Sequence, residues 1–169
     1  LAITNSTPGG LASLLVPYPL RGWHFPLSFD GRVTVFPGRV LNSSRTQILL
    51  SEPGKAPVNL SVAPDHVTPA KLDCAEPAMD DSGAYVAFTT ASTNLVANVP
   101  VIVTHVYWRD VRAQVTRLVS VGKDGVTPGS GNSRSPSISA DGRYVLFWSR
   151  ANNLVDDDTN GGSDYFVRD

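Results

Sequence analysis

The sequence predicts an all-β fold, a β-propeller made of four-stranded antiparallel blades, with three blades in this chain. Two observations predict it. Residues 58–110 align without a gap on residues 117–169, at an offset of 59 and with sixteen identities over 53 positions. Unrelated segments of that length would share about three or four. The 14 glycines and 13 prolines fall between short apolar runs, which leaves no room for long helices.

The identities sit where strands and turns need them. They include Ser61/Ser120, Asp65/Asp124, the runs Val67-Thr68-Pro69 and Val126-Thr127-Pro128, and Gly83/Gly142, Tyr85/Tyr144 and Phe88/Phe147. Asn94-Leu95-Val96 matches Asn153-Leu154-Val155, and Arg109-Asp110 matches Arg168-Asp169. A worn third copy begins at Pro26-Leu27-Ser28-Phe29-Asp30-Gly31-Arg32, one residue shorter than its counterpart at residues 136–143.

Each copy reads as four short strands. Residues 136–139 predict a first strand, and Asp141-Gly142 is a pair suited to a tight hairpin. Residues 144–148 predict a second strand, apolar throughout, as a strand covered on both faces would be. Residues 164–167 predict a third, and residues 115–121, in the preceding copy, a fourth. Four strands at a fixed period are the mark of a propeller blade. The expected division is a degenerate first blade in residues 1–62, with an N-terminal strand for ring closure. A second blade follows in residues 63–121, and residues 122–169 form a third lacking its outer strand.

The run from Pro136 to Phe147, and the stretch from Asn153-Leu154-Val155 through Asp158-Thr159-Asn160-Gly161 to Arg168-Asp169, resemble the TolB-like propeller repeats. The resemblance covers residues 58–169 specifically and residues 1–57 weakly. It implies blades around a central channel, an extracellular or periplasmic location, and a scaffold that binds a protein or glycan partner at one ring face. A fold so widely shared does not settle function. The alternative is a propeller-type hydrolase or carbohydrate lyase with its site at the channel mouth.

Composition narrows the partners. The fourteen basic residues are scattered singly against fifteen acidic ones, which predicts no nucleic-acid partner. The longest apolar stretch, residues 11–20, is interrupted by Pro17 and Pro19 and is too short for a membrane span. Cys74 is the single cysteine, so no intrachain disulfide can form. His24, His66 and His105 are far apart, and no H-E-x-x-H or G-x-S-x-G motif is present. No catalytic residue is assigned.

Two candidate sites remain. Residues 156–164 read D-x-D-x-N-G-x-x-D, with Asp156, Asp158, Asn160, the Gly162 carbonyl and Asp164 as oxygen ligands for calcium. Position twelve of an EF-hand loop is Val167 here instead of Glu, and a polar hairpin in which Asp and Asn bond backbone amides accounts for the same residues. The other site is Trp23 and His24, outside the repeat and ahead of a first strand, where a propeller connection opens at the channel mouth. Ring closure poses a further question, because three blades are too few for propellers of about four to eight. The expectation is a homodimer closing a six-bladed ring, with residues 11–16 completing the partner's last blade, or else a segment of a longer propeller.

Overall fold

The computed structural model describes residues 25–41, 43–99, 103–156 and 158–169. The Trp23 and His24 site and residues 11–16 lie outside them. The described residues are all β, in three antiparallel sheets. The first holds β1 (Thr34–Gly38), β2 (Gln47–Ser51) and β3 (Val58–Asn59). The second holds β4 (Cys74–Met79), β5 (Tyr85–Thr90), β6 (His105–Asp110) and β7 (Val115–Leu118). The third holds β8 (Ser133–Ile138), β9 (Val145–Ser149) and β10 (Asp164–Arg168). Within each sheet the strands follow chain order, as in a meander. A single bridge, Leu27 to Thr34, marks the first sheet's innermost strand. We call the sheets blades 1, 2 and 3.

The hairpin between the first two strands is built from one device in all three blades. Gly31, Gly83 and Gly142 have φ near +70°, which a side chain would resist. A serine and an aspartate two residues apart close the turn. Ser28 Oγ donates to Asp30 and accepts the Val33 amide, and Ser139 Oγ does the same with Asp141 and Tyr144. Blade 2 exchanges the two residue types. Asp80 takes the Ser82 hydroxyl on one oxygen and the Tyr85 amide on the other. The bonding pattern is kept, so the exchange costs no identity of function at that turn.

Blades pack face to face. Strand alternation sends Val86 and Phe88 of β5 and Tyr107 of β6 towards blade 1, where they meet Val35, Ile48 and Leu50. The opposite face, Ala87, Val106 and Trp108, meets Val145, Phe147 and Phe166 of blade 3. Backbone bonds tie the turns together in series: the Phe29 amide donates to the Asp81 carbonyl, and the Asp81 amide to the Ala140 carbonyl. The Cys74 amide donates to Thr46 and the Ser133 amide to Thr104, so the blades are also joined where the inner strands begin.

Three expectations shift in detail. The first strand of blade 3 starts three residues before Pro136, because it carries a bulge between Arg134 and Ser137 that lets pairing with β9 resume beyond the proline. The fourth strand of blade 2 ends at Leu118 instead of residue 121. The second strand of blade 3 is covered on one face only. Val145 and Phe147 are buried, whereas Leu146 is exposed, because no described sheet packs on that side.

Candidate functional site: a groove beside an open strand edge

Among the described residues a groove of about 730 Å³ lies between the outer part of blade 2 and blade 3. β7 forms one wall with Thr116, Arg117 and Leu118, continued by Val119 and Val121. Blade 3 supplies Val145, Arg168 and Asp169. The Trp108 ring lies at its side, stacked on Tyr85 with 5.1 Å between ring centroids, and its Nε1 donates to the Gly142 carbonyl at 3.1 Å. The lining is mixed: aliphatic walls, three guanidinium groups from Arg117, Arg143 and Arg168, and one carboxylate from Asp169.

That carboxylate is already engaged. Arg143 grips it with two bonds of 2.7 and 2.6 Å, and the hydrogen bonds, more than the charge itself, hold the Asp169 carboxyl below its usual range. Arg168 donates to the Val121 carbonyl, which ties blade 3 to the loop leaving β7. In the equivalent place of blade 2, Arg109 donates to Thr116 Oγ1 while its Nε has no partner.

β10 borders the groove as the last strand of its sheet, so among the described residues its outer edge carries no ladder. In blade 2 the same edge, on β6, is filled by β7: Tyr107 faces Leu118 and Asp110 faces Val115. Chemically this edge is a row of backbone donors and acceptors next to an amphipathic trough. It suits an extended polypeptide better than a small molecule.

The predicted calcium ligands are distributed unevenly. Asn160 and Asp164 meet, but through the Asn160 amide nitrogen, which donates to both Asp164 oxygens at 3.1 and 2.9 Å. The Asn160 oxygen accepts the Gly162 amide at 2.7 Å. Asp156 is paired with Lys123 of the preceding loop. No group of three acidic, histidine or cysteine side chains converges among the described residues. This arrangement is that of a self-bonded polar turn. A calcium ion would require Lys123 to release Asp156 and the Asn160 amide to rotate.

Features that sequence reasoning missed lie on the inner strands. Glu76 and Ser135 occupy matching bulges with positive φ, and the Glu76 carboxylate accepts the Ser135 amide across the blades at 2.9 Å. The proline that follows each, Pro77 and Pro136, was the available signal, since proline inside a sheet is confined to edges and bulges.

No family model matches the chain, and no curated protein matches it in sequence. Solved structures do match in shape. The crystal structure of TolB from Acinetobacter baumannii superposes with a TM-score of 0.51 at 13% identity, covering 86% of this chain and 29% of that one. The Pyrococcus horikoshii acylaminoacyl peptidase gives a TM-score of 0.43 at 14% identity, covering 80% of this chain and 20% of its own. The chain thus spans less than a third of the length of either protein. At these identities the likeness to TolB concerns the fold alone: the three meander sheets are blades of a partial β-propeller.

Proposed function

We propose that this chain is a non-enzymatic binding scaffold that works outside the cytoplasm, in an extracellular or periplasmic setting, and takes a protein partner on blade 3. The observation that carries the reading is the edge of β10, unpaired among the described residues, beside the 730 Å³ groove. A partner entering as an extended strand would gain backbone hydrogen bonds from β10 and place alternate side chains in the trough. The repeat specifies the chemistry of such a segment. Its residue opposite Phe166 takes the place of Leu118, an apolar position packed on the core, and a residue facing Arg117 is favoured as an acid. The resemblance to the TolB-like repeats supports both the scaffold role and the location. Completion of the ring, by a second copy or by further blades of a longer propeller, belongs to the same reading.

The test uses a synthetic peptide with the chain's own sequence from Val115 to Val121, the strand that fills the corresponding edge of blade 2. Saturable binding by calorimetry, lost when alternate peptide amides are N-methylated, is the expected result. Equal binding by a scrambled peptide, or no binding, rejects the strand-addition site.

A further inference from the structure

Each blade presents one set of residues to its successor. In blade 1 these are Val35, Ile48 and Leu50, and in blade 2 Ala87, Val106 and Trp108. Strand register places Leu146, Tyr165 and Val167 in the same positions of blade 3. The residues of the first two sets are buried or half-buried, yet Leu146, Tyr165 and Val167 are 40%, 70% and 64% exposed. The turn repeats the pattern. Val33 lies on Gly83 and Tyr85 on Gly142, whereas Tyr144, next in the series, is 40% exposed. The Ala140 amide is the next donor in the chain of bonds running from Phe29 to Asp81 to Ala140.

The other end of the molecule carries the complement. Among the described residues nothing lies within 4 Å of the place a Cβ on Gly31 would take, so this turn, alone of the three, has no side chain seated on it. Beside it Phe25, Leu27 and Phe29 are exposed. Leu27 matches Ile138, which in blade 3 packs against blade 2. Phe25 stands edge-on to Phe36, with centroids 6.5 Å apart, so Phe25 and Leu27 form the apolar surface at this end.

We infer that the outer face of blade 3 is an interaction surface for a second copy of this chain. Two copies pair head to tail, with Tyr144 of each seated on Gly31 of the other. The occupant follows from continuity: the contact extends the Val33–Gly83 and Tyr85–Gly142 series by one member, using groups that already exist on one molecule. The contact is heterologous, and with three blades described in each copy two such contacts bring six together, within the range propellers adopt. The inference deepens the scaffold reading by naming a partner for blade 3. It concerns the blade's face and not the β10 edge, so the peptide titration and the experiment below fail separately.

The experiment is light scattering of the intact chain, with cross-linking. The dimer mass is expected at micromolar concentration, and Leu146→Glu with Tyr165→Glu should return it to monomer while circular dichroism stays β. Val167→Lys, a milder change, covers the case in which the double variant does not fold. A mixture of Tyr144→Cys and Arg32→Cys chains treated with a short bis-maleimide should yield a cross-linked heterodimer. Native Cys74 does not interfere, since burial raises its thiol to a pKa of about 11. A monomer at all concentrations overturns the inference. So does a dimer that survives both interface variants, or one in which Tyr144→Cys chains link only to themselves.

Discussion

Tyr85 lies so close over Gly142 that a Cβ on the glycine would come within 2.1 Å of the tyrosine ring. This contact locks the hairpin of blade 3 under the aromatic pair of blade 2. Gly142→Ala therefore meets two penalties, a backbone at φ +76° and a clash with a ring that is itself stacked on Trp108. Gly54 has the same backbone sign, φ +74°, and open space around it. Chemical denaturation should show Gly54→Ala costing about 1 kcal/mol and Gly142→Ala about 3 kcal/mol or more. Equal losses would mean that the ring contact contributes nothing.

The exchange of serine and aspartate between hairpins predicts a compensating pair. Asp80 is buried and bonded to Ser82 and Tyr85. Asp80→Ser alone leaves two serines at the turn and should cost about 1–2 kcal/mol. Adding Ser82→Asp reproduces the Ser139 and Asp141 arrangement and should restore most of it. A double-mutant cycle in urea measures the recovery, and simple additivity would show the two positions to be independent.

Gln47 and His105 hold one position in successive blades. Gln47 bonds Ser61 Oγ and His105 Nδ1 bonds Ser120 Oγ, but the Gln47 amide nitrogen also reaches the Ala70 carbonyl, while His105 Nε2 is buried without a partner. Burial lowers the His105 pKa below 6.5, so the folded state holds the neutral ring. The unfolded chain takes up the proton first. This contribution is therefore complete above pH 6.5 and is lost as pH falls through 6.5 towards the lower folded value. The slope attributable to this residue is at most about 1.4 kcal/mol per pH unit. His105→Gln should fold and show a flatter melting temperature between pH 7 and 5. An unchanged profile would locate the acid sensitivity elsewhere.

Calcium at residues 156–164 is a proposal that the observed pairing makes specific. If Asp156, Asp158, Asn160 and Asp164 take up the ion, Lys123→Ala should tighten binding by releasing Asp156, and Asp158→Ala should abolish it. Calorimetric titration with calcium chloride reads both, at about one site per chain. Absence of heat in the native chain and in Lys123→Ala leaves the self-bonded turn as the whole account.

The sequence by itself determined the features that depend on neighbours along the chain. The β-branched and aromatic run of residues 144–148 and the Asp141-Gly142 pair specify a strand and its hairpin, because strand propensity and turn chemistry are local. The match of residues 58–110 to 117–169 specified the blade. It could not say which strand faces remain open. Leu146 and Ala87 occupy one repeat position, yet one is exposed and the other fully buried, because burial depends on whether another sheet lies beyond. The polar loop shows the same division. Its residue types suited a cation, but the Lys123 that engages Asp156 is 33 residues away in the chain. Only the packing of blade on blade, which brings distant segments within bonding distance, decided which groups meet and which face solvent.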